Sequence, residues 1–246
     1  MPQSASVLER DAYLRVLLMG AAKCGKSTSS IVSLEKTLGL GYVLCCGDKS
    51  GMLPATRQTK KFDFDIIRDE DDMEACLKAA RDGVKEGKYK WILVDDFSLY
   101  ASWLEGALRA ASSVGRTEPD GRRMWPEYKQ RILNYPRRLF DLKAHVIFVL
   151  HYITPSKEID GQRPKSGEGI VPLLSGSARE EFPALFTDAL FMEKEIEKGK
   201  TDRRVFRVNP EGVWGPGSRS ADGTHTIDAD FGAFLKLVKE QDVKKR

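Results

Sequence analysis

The sequence offers little for cross-linking or for crossing a membrane. Its four cysteines are Cys24, Cys45, Cys46 and Cys76, and no pair has the C-x-x-C spacing of a zinc or thiol–disulfide site. That scarcity argues against a disulfide framework and for a reducing, cytoplasmic setting. No apolar run approaches the ~18 residues of a membrane span. The opening residues Met1-Pro2-Gln3-Ser4-Ala5-Ser6 lack a basic start followed by an apolar core, so no secretory leader is expected. A large excess of either charge is missing too. Forty Lys and Arg against 36 Asp and Glu leave a net +4. This excludes an acidic disordered tail protein and permits a nucleic-acid partner without demanding one, since a local patch matters more than the total. Internal repeats, low-complexity segments and an N-K-x-D guanine motif are absent, and the last absence weighs against a GTPase.

What remains is an ordinary globular composition, 41% hydrophobic and 31% charged. A chain of 246 residues buries roughly three quarters of its unfolded surface and needs no staple. We expect a single domain over 1–246, with 1–11 and 241–246 as flexible tails. Short apolar runs at Tyr13–Met19, Leu40–Cys46, Phe62–Ile67, Lys90–Val94 and His145–Leu150 alternate with helical patterns at Lys26–Leu38, Asp71–Glu86, Ser98–Ala111 and Trp125–Leu142. Nearly continuous Val/Ile/Leu runs are buried on both faces, as in parallel sheets. The alternation predicts an α/β fold with a mostly parallel central sheet flanked by helices. Toward the end, Asp188–Glu195 and Arg203–Asn209 read as a β-hairpin around a charged turn at 198–201. A terminal helix follows over Asp228–Lys239. Ser112–Arg123 and Thr154–Gly169 read as loops.

The chemistry concentrates at Gly20-Ala21-Ala22-Lys23-Cys24-Gly25-Lys26-Ser27. This is the phosphate-binding pattern G-x-x-x-x-G-K-[ST] between a strand and a helix. The glycines let backbone amides curl around a phosphate, and the helix dipole adds positive potential. Residues 20–28, through Thr28, are the expected nucleotide cradle. Lys26 is placed on the β- and γ-phosphates and Ser27 on Mg²⁺. The ligands expected are ATP and Mg²⁺.

A second element is Trp91-Ile92-Leu93-Val94-Asp95-Asp96, an apolar strand ending in acid. Asp95 at its end would hold the metal. Asp96 is either a general base or a helix N-cap. His151 ends the next apolar run and is placed to sense the γ-phosphate. Asp48, after the second run, is a further carboxylate for activating water; the alternative is a turn residue.

Between Arg116 and Arg138 lie seven basic residues, Arg116, Arg122, Arg123, Lys129, Arg131, Arg137 and Arg138, against three acids. Trp125, Tyr128 and Tyr135 are interleaved, a pattern suited to stacking on single-stranded DNA. The alternative is a solvated helix face. Lys157, Arg163 and Lys165 follow the His151 strand and would extend a DNA path.

Together the loop GAAKCGKS, the strands WILVDD and VIFVLH, and the stretch from Pro172 through Phe182-Pro-Ala-Leu-Phe-Thr-Asp188 to Met192 resemble bacteriophage RecA-like P-loop ATPases. These are the phage AAA-domain group that includes Sak-type single-strand annealing proteins. The resemblance spans roughly residues 13 to 240, with Pro172–Gly176 and Phe182–Asp188 its more specific segments and Gly217-Ser218-Arg219 a further correspondence. It implies a RecA-like fold and a Mg-dependent ATPase coupled to single-stranded DNA in replication, recombination or packaging. Lys26 and Ser27 would sit at the phosphates and metal, Asp95 as the acid and His151 as the sensor. Family members carry Glu after the second strand, where this chain reads Gly47-Asp48-Lys49. It also implies a ring or filament in which Arg179 or Arg219 reaches a neighbouring site; the alternative for each is a surface arginine. Two other readings stay open: a small-molecule or nucleotide kinase with Ser112–Arg123 as its lid, and a nucleotide-dependent structural switch that does not cycle.

Overall fold

The computed structural model describes residues 13–47, 49–114, 120–153, 171–195, 202–208 and 218–244. Its centre is an eight-stranded sheet. In chain order, β1 is Arg15–Gly20, β2 Gly41–Cys46, β3 Phe62–Ile67, β4 Trp91–Asp95 and β5 His145–Leu150. β6 (Tyr152–Ile153) and β7 (Val171–Pro172) form a separate two-stranded pair. β8 is Asp188–Glu195, β9 Arg203–Val208 and β10 His225–Asp228. The spatial order is β10-β9-β8-β1-β5-β4-β2-β3. Strands β8, β1, β5, β4, β2 and β3 run parallel, and β9 runs antiparallel between β8 and β10. The mostly parallel α/β sheet is thus as expected. β5 lies between β1 and β4.

The helices are α1 (Lys26–Leu38), the short α2 (Leu53–Thr56), α3 (Glu70–Lys85), α4 (Phe97–Ser112), α5 (Gly121–Phe140), the short α6 (Ala178–Glu181) and α7 (Phe231–Lys244). Period-two alternation along β1 divides the core. Leu17 and Met19 face α3, α4 and α5, while Val16 and Leu18 face α1 and α7. On the first face Phe182 stacks on Phe97 at 5.3 Å, and Phe148 meets both rings, at 5.0 and 5.8 Å. Phe182 and Phe186 are fully buried. The stretch that carried the family resemblance is therefore core beneath the ends of β4 and β5.

Several boundaries moved. The expected loop at Ser112–Arg123 gives way to helix at both ends, with Asp120 capping α5 through the Arg122 amide at 3.2 Å. α5 runs through Pro126 and Pro136. Met124, Tyr128, Ile132, Tyr135 and Leu139 are buried along one side, and that burial offsets the lost backbone bonds. The hairpin strands match. Its turn at 198–201 and the loop at 154–170 lie outside the described residues. β10 was not anticipated. It uses Asp228, so α7 starts later, capped by Asp230 through Ala233 at 3.0 Å, and ends later, at Lys244. No helix among the described residues is long and apolar enough to cross a membrane.

Candidate nucleotide-binding site

The carboxyl ends of β1, β4 and β5 meet at one cleft of about 690 Å³, to which β9 contributes Arg204. Gly20 ends β1 opposite Met192 of β8. A Cβ there would lie 2.8 Å from the Met192 carbonyl and 2.9 Å from Cys24 Sγ, so only glycine fits. The chain then turns through two left-handed residues, Lys23 at φ 61° and Gly25 at φ 104°. Such reversals aim successive amides into a concavity. α1 starts directly after, with no side-chain cap and no acidic residue in its first turn. Its first amides therefore meet no carboxylate from their own helix. Ala21, Ala22 and Lys23 are exposed at the rim, whereas Cys24 and Lys26 are buried.

Lys26 Nζ donates to the carbonyls of Gly20 and Ala21, 2.9 Å each, and lies 3.3 Å from His151 Nδ1. His151 Nε2 is 2.6 Å from Asp96 Oδ2. The other Asp96 oxygen accepts from the Ser98 amide at 2.8 Å and caps α4. Of the two roles expected of Asp96, the N-cap is realised. The His151 amide in turn donates to Ser98 Oγ at 2.9 Å. Lysine, histidine and aspartate from three elements thus form one chain of contacts. The Asp95–Asp96 peptide is cis.

Asp95 is buried at the end of β4. Burial pushes its carboxyl up to about 6, and the neighbouring Asp96 adds to this; a hydrogen bond from Ser27 and the charges of Lys26 and His151 act the other way. A hydroxyl beside a buried, anionic carboxylate at the foot of a phosphate-loop helix is an oxygen donor set suited to Mg²⁺. The residues fit a Mg-bound nucleotide, with 20–28 as cradle and Ser27 and Asp95 as metal donors.

Asp48 lies outside the described residues; Cys46 and Ser50 nearby in the chain line the cleft. Arg204 was not anticipated, yet it covers Gly25, where a Cβ would come within 2.7 Å of Arg204 Nε. Arg179 does not line this cleft; its Nε donates to the Leu174 carbonyl at 2.9 Å. Arg219 is tied through its amide to the Thr187 carbonyl at 2.8 Å.

The basic stretch differs from its stacking pattern. Tyr128 and Tyr135 are buried at 1% and 3% exposure, so neither ring is available to a base. Trp125 is half-buried under the Arg109 guanidinium, 5.2 Å away. Arg131 is held by Glu70 and Glu127, both at 2.5 Å, Arg138 by Glu74 and Lys129 by Glu181. Arg122, Arg123 and Arg137 stay exposed. Helical period put the tyrosines on the apolar face of α5 and most of the cations opposite. Arg122 and Arg123, the arginines of the alternative lid, line a separate groove with Pro126 and Asn134. Arg116, Lys157, Arg163 and Lys165 lie outside the described residues.

A solved structure with a similar chain course is the KaiC-like protein PH0186 from the hyperthermophilic archaeon Pyrococcus horikoshii OT3, with 15% identity, a TM-score of 0.47, and coverage of 87% of this chain and 84% of that one. A search of curated proteins finds no match. The model of the AAA domain family (AAA_24) matches residues 12–220, taking in the loop, β4, β5, β8 and β9, and the chain belongs to that family.

Proposed function

We propose that the chain is a Mg-dependent ATPase of the RecA-like kind. The observation that carries this is the contact chain Lys26–His151–Asp96 at the mouth of the phosphate loop, at 3.3 and 2.6 Å. Lys26 would bind the β- and γ-phosphates and the amides of 20–28 the remaining oxygens. Ser27 and Asp95 would hold Mg²⁺, which supplies charge neutralisation when bound. A γ-phosphate competes with His151 for the Lys26 ammonium. His151 would then lose its Lys26 contact while still held by Asp96 through Nε2, and Asp96 keeps its grip on the first turn of α4. That gives β5 and α4 a mechanical report of the terminal phosphate. Asp48 or Asp96 would orient water.

Coupling to single-stranded DNA, in phage replication, recombination or packaging, is the finer reading. The exposed Arg122, Arg123 and Arg137 on α5 support it, and assembly into a ring or filament would place neighbouring arginines at each site. A second reading is a non-cycling nucleotide switch, favoured because both Asp96 oxygens are already engaged. Phosphate release with and without single-stranded DNA, for the unsubstituted chain and Lys26→Ala, separates them. Release that DNA stimulates and Lys26→Ala abolishes supports the ATPase. Tight Mg-ATP binding without release establishes the switch. Turnover stimulated by a nucleoside or sugar instead of DNA points to a kinase.

A further inference from the structure

Arg204 is out of pattern on its strand. Alternation along β9 puts it on the same side as Phe206 and Val208, which are fully buried in the apolar layer with α1 and α7. An arginine on that side faces the helix layer, and the element nearest it there is the phosphate loop at the head of α1. Its side chain lies along Gly25: a Cβ on that glycine would be 2.7 Å from Nε, 3.0 Å from Cδ and 3.1 Å from Cζ. Glycine at 25 therefore serves twice, for its φ of 104° and for the room it leaves the guanidinium.

The other cations on the described strands of the hairpin are neutralised. Lys194 pairs with Asp202, Arg203 with Asp228 at 2.8 Å, and Arg207 with Glu193 and Glu195 at 2.8 and 3.1 Å. Among the described residues the Arg204 guanidinium makes no hydrogen bond or ion pair. It lines the cleft instead. Its position along the loop is also informative. β5 and β4, with His151 and Asp95, lie on one side of β1, and β8 and β9 on the other. Arg204 therefore approaches the loop from the flank opposite Asp95 and His151.

We infer that Arg204 is a nucleotide-binding residue supplied by the same chain, its guanidinium contacting the α- and β-phosphate oxygens that ATP and ADP share. This rests on the reading of the cleft as a Mg-nucleotide site. A guanidinium offers a planar, two-point grip on phosphate that a lysine cannot match. The Arg204 carbonyl accepts from the Ala229 amide at 3.0 Å, so the same residue links the cleft to the β10–α7 connection.

The test is titration calorimetry of the full chain, Arg204→Gln, Arg204→Lys and Lys26→Ala with Mg-ADP and with a non-hydrolysable Mg-ATP analogue. Arg204→Gln weakens both ligands by the same factor, about 10- to 100-fold for a lost charge-assisted contact, and Arg204→Lys recovers part of that loss. Equal affinity of Arg204→Gln and the unsubstituted chain overturns the inference, as does a loss confined to the ATP analogue. Equal weakening in both variants with a lowered melting temperature overturns it in favour of a structural role. No binding by the unsubstituted chain removes the nucleotide site itself. Binding that Lys26→Ala abolishes and Arg204→Gln leaves intact removes only the role of Arg204.

Discussion

Asp95 carries a cost that its neighbours only partly offset. Its carboxyl sits near 6 against 3.8 unperturbed, from burial first and Asp96 second. The folded chain thus holds this proton more tightly than the unfolded chain. Ionising Asp95 removes stability as pH rises from about 4 to 6, up to about 3 kcal/mol. Asp95→Asn is therefore expected to melt higher than the unsubstituted chain at pH 7 without Mg²⁺. The gap should close near pH 4, and the variant should lose Mg-dependent nucleotide affinity; melting curves across pH check this. His145 works in the opposite sense. Burial first, then Lys239, lowers it to about 4, and its Nδ1 accepts from the Leu14 amide at 3.2 Å. Its neutral form contributes stability that is present above about pH 6.5 and lost as pH falls toward 4, about 3 kcal/mol at most. His145→Gln should flatten that acid limb. A variant as acid-sensitive as the unsubstituted chain would show that the loss originates elsewhere. Lys26 and Ser27 were legible because the phosphate they would hold dictates their spacing from Gly20, and Asp95 because it ends an apolar run. Arg204 was not, since only the strand's place in the sheet brings it over Gly25, although a charge on the face of Phe206 and Val208 was a visible anomaly.

At the scale of elements, α5 shows what local chemistry hides. The Gly, Pro, Asp and Arg of Ser112–Arg123 made its first turn look like loop, and the Asp120 cap went unrecognised. Asp120→Ala removes an acceptor from the Arg122 amide and is expected to cost about 1 kcal/mol. A melting temperature unchanged within error would show that the cap contributes nothing. The same helix corrects the stacking surface. Tyr128 and Tyr135 follow the stripe of Ile132 and Leu139 into the core, and the Tyr135 hydroxyl meets that of Tyr100 at 2.8 Å. β10 escaped notice because its four residues, half-exposed and exposed in turn, carry too little apolar signal. Its pairing with β9 supplies what its composition does not.

For the whole molecule, the β-α alternation made the sheet direction and both helix layers legible, because parallel strands buried on two faces leave continuous apolar runs. The strand order was not, as nothing local says that β8 returns beside β1. What locks that return is Phe182, stacked with Phe97 and 5.1 Å from Phe186. Phe182→Ala is expected to lose about 3–5 kcal/mol and to lower the denaturant midpoint accordingly. A loss below about 1 kcal/mol would mean the pocket collapses freely. If α5 binds DNA through Arg122, Arg123 and Arg137, charge reversal there should flatten the salt dependence of binding by roughly one slope unit per lost phosphate contact. An unchanged slope places the DNA elsewhere.

The outermost strand β3 sets a boundary on growth. Asp63 and Asp65 sit on it with their carboxylates taken by the hydroxyls of Tyr89 and Tyr42, at 2.8 and 2.5 Å. A foreign backbone adding at that margin would have to settle beside the tethered Asp65 carboxylate and the Asp63–Lys88 ion pair at 2.7 Å, charged groups that discourage ribbon-like stacking. If copies of this chain associate, that margin favours joining through side-chain surfaces over extending the sheet past β3.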